Sequence, residues 1–184
     1  YTEDEVGCSI LQGFLPNPIL RRIKIVPIGS DQAVLKQLAA AYRVGNHACI
    51  AFCDGDKRQN YEKATSQVKR HLEGRINDNF NEWIQKRLNY LPGDTRPEQY
   101  LLELLRDNKN SQHELALLWQ TDFEFENSIE QALSAGKHNE FHYLAKQLNL
   151  NEAQVRIDVI RTIKKSIPED IKLLETTIHS LLGC

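Results

Sequence analysis

The segment HACIAFCDGDKRQ, residues 47–59, joins an apolar stretch to a cluster of charged side chains. Its part ACIAFC is typical of a strand that is covered on both faces. The apolar run ends abruptly at Asp54 and Asp56, which stand one residue apart and are followed by two basic residues. In open parallel sheets, ligands bind at the carboxyl ends of the strands. The segment therefore predicts a functional site at the edge where this strand ends.

The residues before this segment alternate between helical and strand patterns. Residues 5–15, EVGCSILQGFL, have apolar side chains at helical spacing and stop at Pro16. IKIVPI, residues 23–28, is rich in β-branched residues and predicts a second buried strand. DQAVLKQLAAAYR, residues 31–43, predicts a helix that Ser30 can cap. This order is typical of βαβ units, so we predict an α/β fold with a mainly parallel sheet flanked by helices.

The rest of the chain is predicted to be largely helical. Residues 59–87 indicate two helices, and LNYLPGD, residues 88–94, indicates a short strand and a loop. From residue 96 the pattern is helical almost to the end, with breaks near residues 108–111, 136, 149–151 and 166–168. We therefore place a domain boundary near residue 108. Residues 1–108 would form the α/β core, with a first strand cut short, and residues 109–184 a C-terminal helical extension.

The bulk composition is that of a globular protein. The 184 residues carry a formal net charge of −2, which gives no global argument for nucleic-acid binding, so any DNA contact must be local. The four cysteines lack the spacing of a zinc site. No apolar run approaches the roughly 20 residues that span a bilayer, and no signal peptide is recognisable, so we expect a cytoplasmic protein without membrane contact. The sequence has no methionine and opens on YTEDEVG, as expected for a fragment of a longer protein.

A second group of acids, TEDE, occupies residues 2–5. If a first strand ends just before Glu3, this side chain lies at the same sheet edge as Asp54 and Asp56. Neighbouring carboxylates repel one another unless a cation shares them, and hard oxygen ligands suit Mg²⁺ or Mn²⁺. Two simpler alternatives stay open. Asp-Gly-Asp is ordinary turn chemistry, and TEDE is also a typical helix start with Thr2 as its cap.

The pattern resembles the Toprim domain of the overcoming-lysogenisation-defect (OLD) nuclease family. The Toprim signature is a glutamate after the first strand and, further along, a hydrophobic strand that ends in D-x-D. Here T-E-D, residues 2–4, stands in the first place and CDGD, residues 53–56, in the second. IKIVPIGS followed by DQAVLKQL looks like the second strand and helix of OLD-type domains. LPGDTRPEQYLLELL, residues 91–105, and KHNEFHYLAKQLNL, residues 137–150, look like later elements of that family.

Two features depart from the family pattern. Many Toprim proteins carry a further acid four residues after the first glutamate, where this chain has Gly7. Either Asp4 or Glu5 compensates for it, or one metal site is weaker. In OLD proteins the Toprim domain follows an ABC-type ATPase region, but this sequence has no Gly-x-x-x-x-Gly-Lys-Ser/Thr loop. ATP binding is therefore not assigned to these residues.

The resemblance implies a metal-dependent DNA endonuclease that hydrolyses phosphodiester bonds, as the nuclease part of a bacterial anti-phage defence ATPase. It implies Mg²⁺ or Mn²⁺ bound by Glu3, Asp54, Asp56 and Glu98, the first three being catalytic as well. For Glu98 the alternative is a first-turn glutamate that only complements the helix dipole. The implied partners are DNA, an ABC-type ATPase region on the same longer chain or on a partner chain, and further copies of the chain in a homo-oligomer.

The resemblance also implies a catalytic lysine downstream of D-x-D. Lys137 is the first candidate and Lys146 the second. Lys57 and Arg58 stand beside the acids, where we expect them to contact the DNA backbone or to moderate the local negative charge. The simpler alternative for each is a solvated surface side chain.

Two other interpretations concern the function of the chain. A Toprim fold that has lost its activity and only assembles a larger complex would explain Gly7 and the near-neutral charge. A phosphatase-like α/β domain would use Asp54 as a phosphoryl acceptor, although Lys57 and Arg58 stand where such domains have Thr or Val.

His138 and His142 are four residues apart and would share one helix face, a spacing that can bind metal. An ordinary helix surface is the preferred interpretation of this pair.

Overall fold

The computed structural model describes residues 1–122, 124–136 and 138–182. It is mostly helical, at 69 % of the described residues, and contains a small parallel sheet. Strand β1 (Ala51–Cys53) pairs in parallel with strand β2 (Leu88–Tyr90), with Phe52 opposite Asn89. The predicted α/β arrangement with a helical second half is therefore present at this coarse level.

Two short segments extend the sheet beyond β1. Thr2 forms parallel bridges with Phe52 on one side and with Pro27 on the other. The Thr2 amide donates to the Val26 carbonyl at 3.1 Å, and the Ile28 amide donates to the Thr2 carbonyl at 3.0 Å. The predicted strand over residues 23–28 is thus reduced to one bridge. Pro27 has no amide hydrogen for a further neighbour, which suits the outer edge of a sheet.

Helices cover both faces of the sheet, and most lie close to their predicted positions. In chain order they are α1 (Glu5–Phe14), α2 (Asn17–Leu20), α3 (Asp31–Arg43), α4 (Tyr61–Leu72), α5 (Phe80–Arg87), α6 (Pro97–Asp107), α7 (Lys109–Trp119), α8 (Phe125–Ser134), α9 (Glu140–Leu148), α10 (Glu152–Ile163) and α11 (Pro168–Leu182). The Ser30 hydroxyl caps α3, as predicted, by accepting from the Ala33 amide at 3.2 Å. The expected Thr2 cap of α1 is wrong, because the Asp4 carboxylate accepts from the first-turn amides instead.

Two hydrophobic clusters pack on opposite faces of the sheet. Side chains alternate across a strand, so Phe52 joins one cluster while Ala51 and Cys53 join the other. The first cluster takes its buried residues from α1, α2 and α6 through α11, and the second from α3, α4 and α5. Helices on both sides of residue 108 therefore share the first cluster, and the domain boundary near that residue stays a prediction.

Two local features were not predicted. A 3₁₀-helix, Gly55–Asn60, follows β1 directly and includes the second aspartate of the CDGD turn. A further break separates α7 from α8, where Gln120 takes a left-handed conformation with φ 51°. Among the described helices, none combines the length and the apolarity that a bilayer-spanning segment needs.

Candidate metal centre

The sheet brings Glu3 and Asp54 together at its carboxyl edge. Thr2 and β1 are parallel neighbours, so the residues that follow them leave the sheet side by side. The Asp54 amide donates a hydrogen bond to Glu3 Oε1 at 2.9 Å across a sequence separation of 51 residues. Asp54 itself is only 8 % exposed. The structure therefore joins two of the acids that the sequence placed at one edge, whereas their catalytic roles stay predictions.

Burial, and to a lesser extent neighbouring negative charge, raises the pKa of both carboxyl groups. The pKa of Asp54 rises to about 8, first because the side chain is buried and then because Glu3, Asp4 and Glu98 place negative charge nearby. Burial also raises the pKa of Glu3, partly offset by the hydrogen bond from the Asp54 amide. Asp54 Oδ1 is buried and has no hydrogen-bond partner among the described residues. A bound cation would offset the negative charge of these acids and would give the Asp54 oxygen a partner.

The basic residues after Asp54 are bound to neighbouring groups. Lys57 Nζ contacts Asp56 Oδ2 at 3.1 Å, and this contact raises the pKa of Lys57. The Arg58 guanidinium donates to the Leu91 carbonyl at 2.9 Å and to Asp94 at 3.2 Å. Lys57 thus moderates the local negative charge, which is one of its two predicted roles. Arg58 connects the 3₁₀-helix to the loop after β2 through hydrogen bonds.

Gly55 allows a close contact between two backbones. A Cβ atom at this position would lie 2.3 Å from the Gly93 carbonyl oxygen and 3.2 Å from the Pro92 carbonyl oxygen. Gly93 has φ +81°, and a Cβ there would meet the ring of Tyr100 at 2.4 Å. The two glycines therefore let the aspartate-bearing turn rest directly on the loop after β2.

Among the described residues, Glu3, Asp54 and Asp56 do not form a group of three ligand atoms at metal-binding distance, but another set of side chains does. One atom from each of Asp4, Glu98 and His138 falls within 4.8 Å of the others, a spacing that could hold a metal ion. Glu98, in the first turn of α6, is 4 % exposed, and its Oε1 lies 3.0 Å from His138 Nδ1. Because Asp4 and Glu98 also raise the pKa of Asp54, the two groups form one electrostatically coupled edge.

His138 is a candidate ligand for which the sequence analysis preferred an ordinary helix surface. It precedes α9 with φ +65° and does not share a helix face with His142, so that expectation is wrong. His142 lies within α9 and its Nδ1 is 3.5 Å from a Glu152 carboxylate oxygen. No spacing rule connects residues 98 and 138, which meet only because α9 packs against α6.

Of the two predicted lysines, only Lys146 lies within the described residues. Lys137 lies outside the described residues. Lys146 is exposed in the last turn of α9, and no described contact joins it to the acidic edge. It lies roughly 10 Å along the helix from the end of α9 that approaches Glu98, given a rise of about 1.5 Å per residue.

Position 7, where many Toprim proteins have an acid, faces the interior. A Cβ at Gly7 would lie 3.1 Å from Thr2 Cβ and 3.3 Å from Leu91 Cδ1. A carboxylate there would therefore need these packed neighbours to move. Asp4, which the sequence offered as a substitute, does join the acidic edge.

Comparisons with models of protein families, with curated proteins and with solved structures give no match to this chain.

Proposed function

We propose that this chain is a Toprim-like, divalent-metal-dependent nuclease that hydrolyses phosphodiester bonds in DNA. The observation that carries the proposal is the contact between Glu3 Oε1 and the Asp54 amide at 2.9 Å, beside a buried Asp54 oxygen without a described partner. The resemblance of residues 2–4 and 53–56 to the Toprim signature supports the choice of chemistry. Under this proposal, Glu3, Asp54, Asp56 and Glu98 hold Mg²⁺ or Mn²⁺.

Each acid would have a distinct role. Divalent ions in such sites activate the attacking water and neutralise charge on the leaving oxygen. Asp54 and Asp56 emerge from one strand end and would supply fixed carboxylate ligands. Glu3 is half-buried and has a raised pKa, so it is suited to accept a proton from the attacking water as well as to bind an ion. Lys57, bound to Asp56, would limit repulsion between the acids and the phosphate backbone.

A polar cleft beside the acids supports a nucleic-acid substrate. The cleft has a volume of about 210 Å³ and lies between α3 and α4. Its lining includes Lys57, Asn60, Lys63 and Gln67, which can all donate hydrogen bonds to phosphate oxygens. Lys57 lines this cleft and also contacts Asp56, so a strand bound here would pass next to the acids. An ABC-type ATPase region and further copies of the chain, both implied by the family resemblance, would deliver the DNA.

The proposal is tested by incubating the chain with supercoiled plasmid DNA and Mg²⁺ or Mn²⁺. We expect cleavage that EDTA abolishes. Asp54→Asn or Glu3→Gln should lower the cleavage rate by more than roughly 100-fold. Loss of a residue that only supports a metal ligand typically costs up to about 100-fold, so a larger effect indicates a direct ligand. Asp78→Asn is the matched control, because Asp78 is exposed in the turn before α5. Circular dichroism verifies the fold of each variant.

Two outcomes would contradict the proposal. Equal cleavage by Asp54→Asn and the unmodified chain would remove these acids from the mechanism. A folded chain that cleaves no DNA with either metal would favour the assembly role, for which the interior position of Gly7 is the structural argument.

A further inference from the structure

We propose that Asp4, Glu98 and His138 form a metal site that shares Glu98 with the proposed Mg²⁺ or Mn²⁺ ligands and takes a later divalent transition ion such as Co²⁺ or Zn²⁺ in preference to Mg²⁺. The inference concerns metal binding by these three side chains. It stands whether or not the chain is a nuclease, because it rests on ligand geometry and donor chemistry alone.

The three ligand atoms are close to a binding geometry. They lie within 4.8 Å of one another. Ligand atoms about 2.1 Å from a tetrahedrally coordinated ion lie roughly 3.4 Å apart, so the widest pair has to close by at most about 1.4 Å. The His138 side chain is 64 % exposed and can make part of this shift. The two oxygens and one nitrogen would leave further coordination positions for water or substrate.

Glu98 supplies independent evidence that a cation belongs here. This carboxylate is 4 % exposed, and its Oε2 atom is buried without a hydrogen-bond partner among the described residues. Asp4 and Asp54 lie close enough to add negative charge to the same region. A buried, incompletely bonded carboxylate beside other acids is costly, and a bound metal ion would compensate it.

The nitrogen donor distinguishes this site from the acids at Glu3 and Asp54. Carboxylate oxygens alone suit Mg²⁺ and Mn²⁺, whereas imidazole favours later transition ions. His138 Nδ1 already lies 3.0 Å from Glu98 Oε1, so an ion between the two would replace an existing polar contact. The mixed donor set therefore predicts a preference that the neighbouring oxygen-only acids would not show.

A buried ion pair lies close in sequence to two of the proposed ligands. Glu140, the first residue of α9, is fully buried, and its Oε1 lies 2.7 Å from Arg96 Nη1 at the start of α6. Arg96 and Glu140 each stand two residues from a proposed ligand, Glu98 and His138 respectively. The pair therefore fixes the two segments that carry these ligands against each other.

Calorimetric titration of the full chain with Co²⁺ and with Mg²⁺, without DNA, tests the inference. We expect Co²⁺ to bind at least about tenfold more tightly than Mg²⁺ and to give visible absorption bands. His138→Asn should weaken Co²⁺ binding by about tenfold or more and change Mg²⁺ binding by less than about twofold, because asparagine keeps an oxygen donor and tolerates positive φ. His142→Asn is the matched control and should leave both affinities unchanged.

Glu98→Gln provides a second variant in the same titration. We expect it to weaken Co²⁺ binding by about tenfold or more, since it removes the buried anionic ligand. The inference is wrong if the unmodified chain binds Co²⁺ and Mg²⁺ equally, or if His138→Asn and His142→Asn have the same effect. Because no DNA is present, neither outcome depends on nuclease activity.

Discussion

At the scale of single residues, Asp54 is both a proposed metal ligand and a group whose burial lowers stability at neutral pH. Its side chain is buried at the end of β1, and its pKa rises to about 8 because of burial and nearby acids. The unfolded chain releases this proton at a pH near 3.8, the ordinary value. Between these two values the folded chain binds a proton that the unfolded chain has lost. The free energy of unfolding contributed by Asp54 therefore falls as pH rises from about 4 to about 8.

We predict that Asp54→Asn removes this pH dependence. In metal-free buffer at pH 8.5, the variant should be more stable than the unmodified chain by on the order of 2 kcal/mol, less than the full shift implies because neighbouring acids share the protonation. At pH 4 the difference should be small. Urea unfolding at both pH values measures it, with Asp78→Asn as a control. Parallel pH profiles for the unmodified chain and Asp54→Asn would contradict the assignment.

At the scale of secondary-structure elements, a buried ion pair joins the start of α6 to the start of α9. Arg96 and Glu140 are 44 positions apart in the sequence, and their 2.7 Å contact is long-range. An exposed ion pair also joins the starts of two helices, between Lys109 of α7 and Glu126 in the first turn of α8. Burial makes the two pairs energetically different.

We predict that Glu140→Gln destabilises the chain by about 3 kcal/mol, because Arg96 keeps a partly buried charge without its anionic partner. Glu126→Gln, in the first turn of α8, should have a much smaller effect on stability because its ion pair is solvated. Thermal and urea unfolding of both variants provides the comparison. Equal losses of stability in the two variants would show that the Arg96–Glu140 contact stabilises the packing of α9 no more than an exposed ion pair would.

The elements also show which features local sequence can predict. The bounds of α3 match the prediction because a clear apolar period begins at a capping serine. The break after α7 was missed because Gln120 takes a left-handed turn without the usual glycine. The acids of residues 53–56 were recognisable as a motif, whereas His138 was not. Its approach to Glu98 depends on how α9 packs against distant helices, which no local pattern records.

At the scale of the whole molecule, the first hydrophobic cluster crosses the predicted boundary at residue 108. Ile10 of α1 and Ile160 of α10 are both buried in it. A Cβ at Gly13 would lie only 2.2 Å from Ile160 Cγ2, which shows how closely these two helices approach. Trp119 packs against the same cluster, whereas Trp83 belongs to the other one. Each tryptophan therefore reports on a different side of the sheet.

We predict that a substitution in α1 destabilises the environment of Trp119. With Trp83→Phe as the background, Trp119 is the only tryptophan, and Ile10→Ala should lower the stability seen in its fluorescence by about 2 to 5 kcal/mol. Gln12→Ala, on the exposed side of α1, is the control. An unchanged urea midpoint for Ile10→Ala would instead show that the helices after residue 108 unfold as an independent unit.

The backbone contact between Gly55 and Gly93 limits how this protein can diverge. Any side chain at position 55 would displace the loop at residues 92–93, and any side chain at position 93 would strike the Tyr100 ring. A Cβ at position 55 meets backbone carbonyl groups, and one at position 93 meets Tyr100, so a change at one position cannot compensate for a change at the other. Among related chains, positions 55 and 93 should therefore each remain glycine.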